Sequence, residues 1–147
     1  MTFEDELGPI DYVVIEFPGT ELKAELAPEL LRLIEGGLIH LIDLVVVRKD
    51  ADGTVTAIEV EDAGEASVGL LATAVADVPG LLSEEDVAAA GDALEVDTSA
   101  LLIVWENLWA APFAAATRRL GGQMVASGRI PVADLLATIE AGDAGED

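Results

Sequence analysis

Apolar and polar residues along the chain switch between the two-residue period of strands and the 3.6-residue period of helices. Residues 10–17 (IDYVVIEF) predict a first strand, and residues 23–35 predict an amphipathic helix that ends at a Gly-Gly pair. Residues 38–48 (LIHLIDLVVVR) predict a strand that is apolar on both faces. Residues 54–61 predict a strand with one polar face, so the acidic turn between these two strands predicts a β-hairpin.

The second half of the chain continues the alternation. Helices are predicted at residues 66–78 and 84–94, and Ser83 with Asp86 three residues later has the spacing of a helix N-cap. Residues 98–105 predict a fourth strand that is again apolar on both faces. The remaining predicted elements are a helix at 112–120, a strand at 123–130 and a helix at 132–141.

The predicted order, β-α-β-β-α-α-β-α-β-α, indicates a single α+β domain over residues 1–141, followed by a disordered acidic tail at 142–147. We interpret it as a ferredoxin-like βαββαβ sandwich extended by an extra βα unit. Such a sandwich carries its helices on one face, whereas strands 38–48 and 98–105 predict burial on both faces. The second face must therefore be covered, either by the C-terminal helix or by a second subunit in a two-fold dimer. We expect a homo-oligomer, with a dimer favoured.

Charge narrows the classes of partner. The 147 residues carry 29 Asp and Glu against seven Lys and Arg, a formal net charge of −22, while 52% of residues are hydrophobic. This composition indicates a packed protein, and it disfavours nucleic acid and anionic membranes, which require clustered basic residues. The uncharged stretch at 66–76 is too short to span a bilayer, so membrane insertion is not expected. The acidity indicates solubility, with a basic protein partner as the alternative.

The chain contains no cysteine, which excludes disulfides, thiolate metal sites and a cysteine nucleophile. Its first residues, MTFEDE, are acidic where a signal peptide is basic. A cytoplasmic protein is therefore expected.

Few residues suggest chemistry. Asp43 interrupts an apolar run, so it is the candidate for a perturbed carboxylate, paired with Arg48, Arg118 or a backbone N–H group. Glu16 and Glu106 end two strands of similar sequence and would flank a metal or perform acid–base chemistry only if they converge. They are otherwise solvated charges.

Other motifs favour structural roles. His40 is the only histidine, which excludes multi-histidine metal sites and favours a packed or surface side chain. Residues 48–59 have the glycine of a calcium loop at the right position, but Arg48 stands where a carboxylate is required, so a hairpin turn is favoured. We expect no metal, no cofactor and no catalytic residue.

Aromatic and basic residues cluster after the fourth predicted strand. Such residues are enriched at protein interfaces, so this cluster is the candidate interaction patch, with core packing as the alternative. Its members are Trp105, Trp109, Phe113, Arg118 and Arg119.

Several stretches of the chain resemble a known family. GPIDYVVIEFPG (8–19), VRKDADGTV (47–55), LLIVWEN (101–107) and QMVASGRIP (123–131) are similar to the largely actinobacterial family of unknown function DUF6325, which is similar in plan to the bacterial family DUF1269. The resemblance covers nearly the whole chain and implies kinship without an activity or a site residue. The favoured hypothesis is a non-catalytic, self-associating structural or regulatory domain. The alternatives are a small-ligand binding module with a pocket near Trp105 and Tyr12, and a carboxylate-based enzyme.

Overall fold

A computed structural model describes residues 7–19, 26–58 and 81–145 of the chain. The chain divides into two compact units, residues 1–116 and residues 117–147. The first unit contains a β-sheet and the helices that pack on it. The prediction of one domain over 1–141 stays a prediction.

The described residues form one four-stranded antiparallel sheet in the order β1-β4-β2-β3. Its strands are β1 (Ile10–Pro18), β2 (Ile39–Lys49), β3 (Val55–Ile58) and β4 (Thr98–Asn107). The helices are α1 (Leu26–Glu35), α2 (Glu84–Ala93), α3 (Ala111–Arg119), which follows a 3-10 turn at Leu108–Ala110, and α4 (Val132–Gly145). The mixed α+β class is confirmed.

The hairpin between β2 and β3 is confirmed and has a clear local cause. Asp50 accepts from the Gly53 N–H at 3.0 Å and donates its own N–H to the Thr54 carbonyl at 2.9 Å. Gly53 has φ +87°, a conformation that glycine adopts without a Cβ clash. The Thr54 backbone N–H also donates to Asp52, which lowers the pKa of that carboxyl below its usual value.

The two faces of the sheet are covered by different helices. On β4, Leu101 and Ile103 belong to a core cluster with residues of α1, whereas Ala100 and Leu102 pack with residues of α2. Because neighbouring residues of a strand point to opposite faces, α1 and α2 cover opposite faces of the sheet. The predicted burial of the second and fourth strands on both faces is confirmed. The ferredoxin-like assignment is not confirmed, because that sandwich has its helices on one face.

The residues at both ends of α2 explain where the helix begins and ends. The Ser83 hydroxyl accepts from the Asp86 N–H at 3.2 Å, and the Asp86 carboxylate accepts from the Ser83 N–H at 2.9 Å, so the predicted N-cap is confirmed as a capping box. At the other end, the Lys49 Nζ donates to the carbonyl oxygens of Gly91 at 3.0 Å and Leu94 at 3.1 Å. A cation there offsets the negative end of the helix dipole.

Two predicted elements are absent from the described structure. The fifth strand predicted at 123–130 is wrong, because these residues lie in the C-terminal unit without regular secondary structure and are exposed. A strand forms where a neighbouring strand satisfies its backbone hydrogen bonds, and an alternating pattern within one segment does not supply that neighbour. The helix predicted at 66–78 lies outside the described residues.

Candidate functional site

An apolar groove lies on the sheet face that α2 covers. There α2 packs over β2 and β4, while three side chains of the edge strand β1 remain exposed, Ile10 at 51%, Tyr12 at 75% and Val14 at 44%. The groove has a volume of about 630 Å³. Its floor is formed by β1 and β4 and its wall by α2 and the residues before it; the lining residues are Ile10, Asp11, Tyr12, Val13, Val14, Leu81, Leu82, Asp86, Ala89, Ala90, Ala93, Leu102, Ile103 and Val104.

The register of the sheet explains the floor of the groove. Tyr12 lies opposite Val104 and Val14 lies opposite Leu102, so apolar side chains of two strands share one face. On the wall, Ala89 and Ala93 are four residues apart and present only methyl groups. Because the helix presents only methyl groups toward the large side chains of β1, the space between the helix and the strand is not filled.

The charged residues that line the groove are acidic. The backbone and hydroxyl of Ser83 hydrogen-bond the Asp86 carboxylate and hold its pKa below its usual value, so it is an anion at neutral pH. Asp11 lies between Ile10 and Tyr12 on β1, so its side chain points to the opposite face of the sheet, where its carboxylate accepts from the Asn107 Nδ2 at 2.7 Å. The groove therefore combines an apolar lining with the negative charge of Asp86.

Glu106 anchors the chain that leads into β1. Its carboxylate is buried, accepts the Gly8 N–H at 2.8 Å and lies 3.5 Å from the Nδ1 of His40, which is opposite it on β2. A Cβ on Gly8 would lie 2.2 Å from the Asn107 carbonyl oxygen, so only glycine fits this approach. The sequence gives no signal for the role of Gly8. The side chain of His40 is half-exposed, between the surface and packed positions expected for it.

Glu16 and Glu106 do not converge. Glu16 lies opposite Ala100, and Glu106 lies opposite Ile10, six residues away along β1, which is a separation of about 20 Å at 3.4 Å per residue. Glu16 instead accepts the Glu95 N–H at 2.9 Å. Two carboxylates at this distance cannot act on one bond or share one ion.

Asp43 lies at an irregularity of β2, where the pairing with β4 shifts between Leu41 and Asp43. Its carboxylate accepts the Leu44 N–H at 2.8 Å. A backbone N–H group was one of the three partners expected for Asp43, and Leu44 supplies it. Arg48, another of those alternatives, has its Nε 3.3 Å from the Asp50 carboxylate instead. The arrangement of Asp43 is that of a strand bulge.

The residues of the candidate interaction patch are distributed over different surroundings. Trp105 packs against the core cluster under α1, and its indole N–H donates to the Asn107 Oδ1 at 3.0 Å. Trp109 and Phe113 are exposed. Arg118 and Arg119 lie in the last turn of α3 and belong to the C-terminal unit, at the end of a helix where cations are favourable.

The C-terminal unit exposes a set of large apolar side chains. Four of them, on α4, lie at spacings of three and four residues and so form one stripe. The four are Val132, Leu135, Leu136 and Ile139. Further large apolar residues that are exposed in this unit are Leu120, Met124, Val125 and Ile130.

The calcium-like spacing at 48–59 forms the β2–β3 hairpin over its described part, and Glu59 lies outside the described residues. Within the described ranges, no group of three His, Cys, Asp or Glu side chains could hold a metal ion. Nor does any helix in those ranges have the length and apolar character to cross a membrane.

The fold and the groove together define an α+β domain with an open apolar surface beside an edge strand. The model of the family of unknown function DUF6325 matches residues 6–144. The chain therefore belongs to DUF6325. No curated protein and no solved structure matches the chain. The relation to DUF1269 and the actinobacterial source stay predictions.

Proposed function

We propose that this protein is a non-catalytic, self-associating structural or regulatory domain, and that the groove beside β1 is its association surface. The observation that carries the proposal is the exposure of Ile10, Tyr12 and Val14 on β1, beside the strand β4, which is buried at every residue except the half-buried Trp105. Large apolar side chains grouped beside a sheet edge mark interaction sites in soluble proteins.

The distribution of carboxylates favours this function over an enzyme. Glu16 accepts a backbone N–H in an exposed contact, Asp43 accepts one beside a strand irregularity, and Glu106 is buried against Gly8 and His40. Each of the three carboxylates therefore accepts a backbone N–H group. The separation of Glu16 from Glu106 leaves these two without a shared reaction centre.

The experiment is light scattering after size exclusion on the wild type and on Tyr12→Glu. The side chain of Tyr12 is mostly exposed within one chain, so its replacement leaves the fold intact and places a charge in the association surface. The matched control is Ala88→Glu, which adds the same charge at an exposed position of α2 outside the groove. We expect a dimer for the wild type and the control, and the 15.2 kDa monomer for Tyr12→Glu. Equal masses for the two variants would reject the groove as the association surface.

A small-ligand binding module is the second candidate, and the volume of the groove favours it. A cavity of about 630 Å³ with an apolar lining is within the usual range for ligand pockets. Tyr12 lines this cavity, whereas Trp105 packs against the core cluster under α1. Thermal-shift screening with uncharged apolar compounds tests this candidate, because a ligand at 100 times its Kd stabilises the fold by about 2.7 kcal/mol. A library that stabilises wild type and Tyr12→Glu equally would reject it.

A further inference from the structure

We propose that two copies of this chain join through β1, which pairs antiparallel with β1 of the second copy about a two-fold axis at Val13. This inference rests on the proposed self-association and names the contact that forms it. β1 is nine residues long and ends the strand order β1-β4-β2-β3, so among the described strands it has a neighbour on one side only. An edge strand with unpaired backbone groups is a template for pairing with another chain.

The hydrogen bonds to β4 show which backbone groups of β1 face the free edge. The Asn107 N–H donates to the Pro9 carbonyl at 2.8 Å, and the Gly19 N–H donates to the Asp97 carbonyl at 2.9 Å. In an antiparallel ladder, bonded pairs alternate with non-bonded pairs, so the odd-numbered residues between these two contacts bond β4. The even-numbered residues direct their backbone N–H and carbonyl groups away from β4. They are Ile10, Tyr12, Val14, Glu16 and Pro18.

The free edge is limited at both of its ends. Pro18 has no backbone N–H group. At the other end, the N–H of Gly8 is already bound to the Glu106 carboxylate at 2.8 Å. The residues that offer both an N–H and a carbonyl to a new strand are therefore four, Ile10, Tyr12, Val14 and Glu16. All of them belong to the unit of residues 1–116.

The positions of these four residues define the register. They are symmetric about Val13, so a second β1 that pairs antiparallel about this residue meets all of them. Tyr12 pairs with the partner's Val14, and Ile10 pairs with the partner's Glu16, and each pair exchanges two N–H to carbonyl bonds. The strand is therefore complementary to itself, and a two-fold axis makes the contact reciprocal.

The side chains suit the same register. Tyr12 and Val14 are 75% and 44% exposed in a single chain, and an aromatic side chain opposite a β-branched one stabilises a strand pair. Asp11 lies opposite the partner's Ile15, so it faces an apolar residue. The two Asp11 residues are four positions out of register, about 14 Å apart at 3.4 Å per residue. Because charges are screened over about 8 Å at physiological salt, acidic chains can pair here.

Disulfide formation tests the register directly, because the chain has no cysteine. In the full-length Val13→Cys variant, the two cysteines form a non-bonded pair with Cα atoms about 4.5 Å apart, within the range of about 4.4–6.8 Å that a disulfide spans. The matched control is Ile10→Cys on the same strand, whose two copies would be six positions out of register and about 20 Å apart. Mild oxidation should link Val13→Cys at least about tenfold more than Ile10→Cys, measured by mass spectrometry without reduction.

A proline variant tests the backbone bonds. Val14→Pro removes one N–H from the free edge and leaves the ladder with β4 unchanged, and proline is tolerated on an edge strand whose N–H faces solvent. The matched control is Val14→Thr, which keeps the N–H and the β-branched shape. Val14→Pro should raise the dimer dissociation constant by about thirtyfold or more, and Val14→Thr should change it by less than about threefold. Circular dichroism of both variants verifies that the fold is retained.

The possible outcomes separate this inference from the proposed function. A dimer that forms the Val13→Cys disulfide and is weakened by Val14→Pro supports both. A dimer whose Val13→Cys disulfide does not exceed the control overturns the β1 pairing and leaves self-association standing, as does a dimer that folded Val14→Pro leaves equally strong. A protein that remains a monomer overturns both.

Discussion

Helix α2 approaches the sheet so closely at Gly91 that a methyl group added there should change the stability of the protein. A Cβ built on Gly91 would lie 2.7 Å from Cγ1 and 2.9 Å from Cγ2 of Val55, on the edge strand β3. Carbon atoms in van der Waals contact are about 3.5 Å apart or more, so one element must move by about 0.8 Å. Overpacking of this kind costs about 1–3 kcal/mol. The same substitution raises helix propensity by about 1 kcal/mol, so Gly91→Ala should lower the free energy of unfolding by about 0–2 kcal/mol.

The second variant, Val55→Ala, isolates the steric effect. Alone it removes two half-buried methyl groups, at a cost of about 1 kcal/mol. In its presence Gly91→Ala no longer meets the valine methyls and should stabilise the protein by about 1 kcal/mol. The double-mutant cycle should therefore give a coupling free energy of about 1–3 kcal/mol.

Urea unfolding followed by the fluorescence of the two tryptophans measures all four proteins, at one fixed chain concentration because association changes apparent stability. Additivity of the two substitutions within about 0.5 kcal/mol would refute the close approach of α2 to β3.

Three further predictions concern single side chains. Lys49→Met should cost about 1–2 kcal/mol in urea unfolding, because the side chain donates to two carbonyl oxygens at the end of α2; no loss would show that water replaces it. Asp86→Asn should destabilise the protein at pH 6, and the difference from wild type should vanish as pH falls below 3.8 through the lowered pKa of Asp86, since a depressed carboxyl contributes stability only while it is ionised. The control Asp92→Asn lies on the same helix without that hydrogen bond to Ser83, and an equal pH dependence for both would contradict the capping box. Ser99→Ala should raise the thermal midpoint or leave it unchanged, with a gain of at most about 1 kcal/mol, because this fully buried hydroxyl has no hydrogen-bond partner among the described residues; a loss above about 1 kcal/mol would show that a partner exists.

The local sequence pattern predicts most elements because their causes are local. The Ser83 cap, the Gly53 turn and the two-sided apolar strands each follow from residues within a few positions of each other. The bounds of β2 and α2 accordingly agree with the predicted ones to within about one residue. The strand at 123–130 shows the limit, because apolar alternation does not supply a partner strand.

The candidate site could not be predicted in the same way. Tyr12 and Ala89 are 77 positions apart, and their meeting depends on the order β1-β4-β2-β3 and on the face that α2 covers. Neither follows from periodicity. The patterns of β2 and β4 did predict that a second layer exists, but they could not show that α2 provides it over these strands and leaves β1 open.

Self-association of the chain underlies the proposed function. Light scattering coupled to size exclusion, at micromolar concentration and at low and high salt, tests it most directly, because salt screens the repulsion between chains of −22. We expect twice the chain mass of 15.2 kDa, with the dimer favoured at the higher salt. A mass of 15.2 kDa in both salts would contradict it.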